Sequence, residues 1–374
     1  MIENKKNIKF WKSGNGRDFL DWAGLSEVDL NSDFSTSLFE EYDEKCDQLT
    51  QNWIQSGDFK NIMKSLHGFS NSELPKNYIQ FRDELKIIPD WVDTDLIKLG
   101  SQLSERSGLN GLLILRNFAL LGGYTFANLT KPLVATGSLE KGAIHRLYNT
   151  LKFWVEVTRS NTSTNDLRFN ACLQTRLIHS ASRLMIEKKF PNWDIEKNGV
   201  PINHADMIAT HMAFTVYYLY GLNQLNFEFS EREEAGVFHL WKYITYLLGV
   251  PLELIPNNRK EALSFFYFWT KYQLAPDEDA LKLTDSLLNE DTPISLFYLK
   301  PINQSMGYVH KSVANYLIDA NIRKNLQIPS VVMPHMIPNI IQLKNKMTFN
   351  KKKQLLEGRK HQAIILKDYK NNIT

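Results

Sequence analysis

Apolar residues fall three or four apart along most of the chain beyond residue 74, while runs alternating at period two are scarce. This pattern predicts an all-α fold. One large multi-helix domain is expected over residues 71–335, after a polar extension of short helices and loops (1–70). A Lys/Asn-rich segment (336–374) follows it. Within the domain the spacing predicts helices over 94–106 and 109–128, then a connection through Lys131, Pro132 and Gly137. A helix capped by Asn203 should reach residue 220, and one opened by a Ser230–Glu233 capping box should stop at Gly249. Helices over 259–272, 277–288 and 302–326 complete the pattern.

Two central helices, over 141–158 and 166–189 and joined by a polar loop at 160–165, organise the rest. In the first, Ile144, Leu147, Leu151 and Val155 make one apolar face, and Arg146, Thr150 and Phe153 lie along a neighbouring one. In the second, Arg176, His179 and Arg183 fall at i, i+3 and i+7 and share a stripe. Burying that much charge is costly unless something pairs it. A dianionic ligand would serve, and so would acids on an adjacent helix. On spacing alone, His179 is as readily a satisfied polar residue as a ligand-binding imidazole.

Charge and cysteine content narrow the classes. The formal net charge is only +3, with acids and bases interleaved, so nothing argues for a nucleic-acid partner. Cys46 and Cys172 form no C-x-x-C-H attachment and suggest no disulfide framework. The N-terminus lacks the apolar stretch of a signal peptide, and no apolar run is long enough to span a bilayer. A cytoplasmic location with no membrane partner is therefore expected. Paired E-x-x-H motifs, H-E-x-x-H and a G-x-G-x-x-G after a strand are all missing. His204 and His211 lie seven apart but lack an obvious third ligand.

Three motifs go further: R-x-x-x-T-x-x-F (Arg146, Thr150, Phe153), R-x-x-H-S-A-x-R (Arg176, His179, Ser180, Ala181, Arg183) and G-V-P-I-N (residues 199–203). In order and spacing the chain resembles the haem-dependent oxygenase family of the latex-clearing rubber oxygenases and the mycophenolate-pathway (MpaB-type) oxygenases. The resemblance implies haem b, held non-covalently, with His179 as the proximal iron ligand. It places Arg146 and Thr150 on the opposite face, where dioxygen would be the co-substrate. Arg183 and Arg146 would pair the haem propionates, with Arg176 a lesser contributor.

Two departures bear on the substrate. Rubber-cleaving members carry a lysine before the threonine that can cap the iron; here that residue is Asn149. They also place a glutamate about one helix ahead of the arginine, whereas residues 124–135 contain no acid and Glu140 is too close. A small, largely apolar substrate is therefore expected rather than polyisoprene, with electrons from an external donor or a peroxide. The distal position would fall to water, to nothing, or to a donor such as His310. The competing classes are a non-catalytic haem sensor or carrier and a haem-free helical scaffold.

Overall fold

The computed structural model describes residues 8–30, 33–68, 73–137, 139–140, 142–161, 165–290, 292, 295, 306–348 and 350–373. The N-terminal part carries α1 (Ile8–Ser13), α2 (Asn15–Ala23), α3 (Glu44–Ser56), α4 (Phe59–Ser65) and α5 (Lys76–Lys86). Then come α6 (Thr94–Ile114), α7 (Ala127–Ala135), α8 (Gly142–Val157), α9 (Asn165–Lys189) and the single turn α10 (Ile195–Asn198). The remainder is α11 (His204–Met212), α12 (Glu231–Leu247), α13 (Arg259–Thr270), α14 (Glu278–Leu288), α15 (Met306–Leu317), α16 (Ala320–Asn325), α17 (Met336–Met347) and α18 (Lys351–Ile373). Among the described residues there is no strand, so the class is all-α.

Side-chain caps fix the helix starts that the sequence marks. The Asp93 carboxylate accepts from the backbone N–H groups of Asp95 and Leu96, and Asn203 accepts from Asp206. Ser230 and Glu233 form the full capping box. Three connections depart from expectation. The apolar run at 109–128 breaks at residues 124–126, and Lys131 and Pro132 lie inside α7 rather than in a loop. The expected helix over 302–326 divides into α15 and α16, and residues 302–305 lie outside the described set, as do 162–164 of the central loop. Helix α9 starts one residue before the predicted 166 and ends at the predicted Lys189.

Helix α6 is the axis of the assembly, and two glycine contacts set what packs on it. A Cβ on Gly100 would meet the carbonyl oxygen of Gly236 at 2.2 Å, so α6 and α12 cross with their backbones touching. A Cβ on Gly358 would meet Glu105 O at 2.0 Å, which brings α18 equally close on another side of α6. The Lys/Asn-rich C-terminal segment is thus built into the fold. Arg359 grips Glu105 with two bonds of 2.9 Å, and Lys351 reaches Glu233 at 2.9 Å. One continuous hydrophobic core runs from Phe10 to Tyr369 and includes the N-terminal helices. Among the described residues no single helix is long and apolar enough to cross a membrane.

Two stretches wind more widely than α-helix. Leu115–Leu120, continuing α6, and Ala213–Tyr217, continuing α11, are π-helical and pack against each other. Such π turns place side chains that a regular helix would hide, and they often accompany functional sites.

Candidate active site

A cavity of about 850 Å³ lies between α6, α8, α9 and α11, with apolar walls and a few polar groups. That volume sits in the upper part of the usual range for ligand pockets, roughly 300–1,000 Å³. Both π stretches line it, through Arg116, Phe214 and Tyr217 among others. Helix α18 closes one wall with Ile365 and Tyr369.

From α9, Thr175, Ile178, His179 and Ser182 face the cavity. Among the described residues the buried Nδ1 of His179 has no hydrogen-bond partner, and the ring meets the cavity along its other edge. Burial, with the Arg183 charge adding to it and Asp43 opposing, pushes the His179 pKa down to about 4. The imidazole is therefore neutral at pH 7 and has a lone pair to offer.

Across the cavity α8 presents Arg146, Asn149, Thr150 and Phe153, the residues its motif singled out. All three guanidinium nitrogens of Arg146 are buried with no hydrogen-bond partner among the described residues, and the group lies 5.4 Å from the centre of the Tyr124 ring. An unpaired buried guanidinium is costly, and a carboxylate in the cavity would relieve it. The Thr150 hydroxyl makes none of the bonds one turn back that Thr158, Thr175, Thr210 and Thr215 make. It stays available to the cavity.

Arg176 and Arg183 are placed differently. Seven residues apart, they nearly share an azimuth on α9, while His179 lies about 60° from Arg176 and about 40° from Arg183 around the helix. The two arginines face α3. Arg176 binds Asp43 through Nε (2.5 Å) and Nη2 (2.9 Å), and Arg183 binds Asp47 through Nε (2.8 Å) and Nη2 (2.6 Å). Neither lines the cavity. The acids on an adjacent helix, one of the two pairings open from the sequence, are what these guanidiniums meet. Arg183 also donates from Nη1 to Ile202 O at 3.1 Å, bracing a β-branched residue held at φ 56° in the cavity wall.

Further groups in the wall carry no motif. Asp206, in the first turn of α11, has its carboxyl pushed up to about 6 by burial, against donors from Trp269 Nε1 and Asn203 Nδ2 at 2.9 Å each. It is an acid in the cavity, arriving from α11 where residues 124–135 supply none. His211 shares a 3.0 Å bond between Nδ1 and Thr245, its Nε2 is buried without a partner, and burial lowers its pKa to about 3. His204 instead sits by the segment ahead of α3, its backbone N–H donating to Glu41 O. The described residues contain no group of three His, Cys, Asp or Glu arranged to hold a metal ion. Periodicity could not have found Asp206 or His211, because what marks them is burial beside elements distant in sequence.

The sequence matches the profile of the family described as "ER-bound oxygenase mpaB/B'/Rubber oxygenase, catalytic domain" over residues 113–336, more than half of the chain. The fold is similar to a solved structure described as latex clearing protein LCP in the closed state. The TM-score is 0.69 at 14% identity, over 88% of this chain and 92% of that one. No curated protein matches. Helix α18, which closes the cavity, lies beyond the matched family region.

Proposed function

We propose, from the premise that the chain belongs to the mpaB and rubber oxygenase catalytic-domain family, that it is a haem b-dependent oxygenase acting on a small, largely apolar substrate. The observation that carries this reading is one juxtaposition. A neutral imidazole, His179, and a partnerless guanidinium, Arg146, open on the same apolar cavity. Haem asks of a protein an axial donor, apolar walls and a partner for its carboxylates, and the residues present fit those demands. His179 would hold the iron from α9, and Arg146 would pair a propionate from α8. The Nδ1 of His179 lacks the hydrogen-bonded partner that metal-binding histidines usually have. Arg183 acts at one remove, fixing Ile202 and the α9–α3 contact.

When bound, haem supplies the redox-active iron at which dioxygen is used. The chain's own contribution is the surroundings. Thr150 offers a hydroxyl and Asn149 an amide on the Arg146 side. Asp206, with a pKa of about 6, can hold or release a proton at its carboxyl near neutral pH. Phe214, stacked on Trp241 at 4.1 Å, and Phe266, stacked on Trp269 at 5.7 Å, keep water from the walls.

Protein expressed with adequate haem supply should show a Soret band, and His179→Ala should lose most of it while retaining its helical circular dichroism. An unchanged haem spectrum in the variant would overturn the assignment of His179. Oxygen consumption that depends on added substrate separates the enzyme from a haem sensor or carrier.

A further inference from the structure

Among the described residues two histidines besides His179 line the cavity, His211 and His310, and the second carries a further role. His310, on α15, is buried and borders the same cavity as His179 and Arg146. Its Nδ1 lies 3.1 Å from the side-chain nitrogen of Asn117, which belongs to the π stretch of Leu115–Leu120. The tautomer of the ring follows from which way that amide points, and its neighbours decide the matter. Arg116 Nη1 donates to Asn117 Oδ1 at 2.8 Å, and Asn117 Nδ2 donates to Leu113 O at 2.9 Å. The reversed amide would set oxygen against the Leu113 carbonyl and N–H against the guanidinium, so both contacts would become repulsive. Asn117 therefore presents N–H to His310, and Nδ1 must accept.

Arg116 cannot turn to relieve this arrangement. It also donates to Leu287 O at 2.8 Å and to the Glu290 carboxylate at 3.2 Å, which in turn accepts from Tyr369. A second proton on the ring would put N–H against N–H at Nδ1. Burial and the Arg116 charge oppose it as well, holding the pKa well below the ordinary histidine value. The ring is thus neutral with its proton on Nε2, and among the described residues that nitrogen has no hydrogen-bond partner. An Nε2–H imidazole has no lone pair there for iron, so His310 does not serve as the distal donor.

Building on the oxygenase reading, we propose that His310 is the fixed hydrogen-bond donor that recognises an oxygen acceptor on the substrate. The substrate is then a largely apolar molecule that already carries a ketone, ester or ether oxygen, not a plain hydrocarbon. Tyr124 and Tyr217 line the same cavity, and among the described residues their buried hydroxyls have no partner. A hydrocarbon occupant would leave these donors unsatisfied, and each unsatisfied buried donor counts against binding.

The probes are cyclododecanone and cyclododecane, matched in shape and differing by one oxygen, with binding to the full chain read by headspace depletion. His310→Phe should weaken cyclododecanone about three- to tenfold, the worth of one neutral hydrogen bond, and leave cyclododecane within about twofold on the same scale. His310→Gln, which keeps an N–H, should recover part of the loss. Long-range 1H–15N spectra of labelled protein give a readout that needs no ligand: one histidine, absent from His310→Phe, should show the Nε2–H tautomer. Asn117→Asp should move it to Nδ1–H. The proposal is overturned if the ketone binds His310→Phe unchanged, if both probes weaken equally, if neither binds the wild type, or if His310 is found as Nδ1–H or charged. Absence of haem would end the oxygenase reading while leaving these ratios and the tautomer as they are, so the two failures are distinguishable.

Discussion

Arg183 holds Asp47 through two parallel bonds, Nε to Oδ2 at 2.8 Å and Nη2 to Oδ1 at 2.6 Å, with both side chains buried. The pair ties α9 to α3 beside the cavity rather than in its wall, four residues beyond the His179 that lines it. Breaking a buried pair from one side strands the other charge. Arg183→Ala and Asp47→Ala should each cost about 3–5 kcal/mol in urea unfolding. The double replacement by leucine should cost much less. In each variant that folds, the haem absorption maximum should stay where it is in the wild type. A shifted maximum in Arg183→Leu/Asp47→Leu would mean that Arg183 does reach the cofactor.

Arg146 should behave in the opposite way. Its guanidinium is buried without a hydrogen-bond partner, so it costs stability when the cavity holds no anion. Arg146→Met should stabilise haem-free protein by about 1–3 kcal/mol. The same variant should lose haem faster to an excess of apomyoglobin. Destabilised haem-free protein with unaltered haem retention would refute a propionate role.

Asn149 lines the cavity one residue before Thr150. Asn149→Lys places an amine on the Arg146 side, where it would reach the iron that His179 is proposed to hold. The ferric protein should then turn toward a six-coordinate, low-spin spectrum, and azide should bind more slowly. Spectra and azide kinetics identical to wild type would show that residue 149 does not face the iron.

The acid limb of haem-free stability should be set by His179 and His211, whose pKa values burial lowers to about 4 and about 3, together with His310, which burial holds well below the ordinary histidine value. An imidazole with a depressed folded-state pKa contributes stability that is present above the unfolded value and lost as pH falls through the folded one. The window runs from about pH 6.5 down to pH 3–4, and each group is worth on the order of a few kcal/mol. Asp206 has the reverse sign. Its raised pKa, about 6, favours the fold at low pH and loses that contribution as pH rises from about 4 through 6. His211→Gln should flatten the acid limb, and Asp206→Asn should remove the opposing slope. Both are read from unfolding midpoints in urea at pH 4–8.

Helix α18 should act as the movable wall. Gly358→Ala would set a methyl 2.0 Å from Glu105 O and push the helix off α6. Ile365 and Tyr369 would leave the cavity with it. Limited proteolysis should then cut within residues 351–373 at least tenfold faster than in wild type, a barrier loss of roughly 1.4 kcal/mol or more. Unchanged cleavage would show that α18 tolerates the wider spacing.

The all-α class, most helix starts and the central pair α8–α9 were set by local chemistry. Apolar residues at helical spacing commit a face, and Asp93, Asn203 and Ser230 supply caps within the reach of a single turn. The motif residues on α8, and His179 on α9, are legible for the same reason, since each belongs to one helix face. What spacing could not decide is which partner a face meets. Arg176 and Arg183 share a stripe near His179, yet Asp43 and Asp47, over a hundred residues earlier, take both guanidiniums and leave Arg146 without a partner. The π turns at Leu115–Leu120 and Ala213–Tyr217 have no local code, because packing against each other, not propensity, makes room for the wider turn. Asp206 became a site residue, and the tautomer of His310 was decided, only when α11, α15 and the π stretches closed around one cavity. Burial is a property of the whole fold, and it is burial that raises one pKa, lowers another and fixes a tautomer.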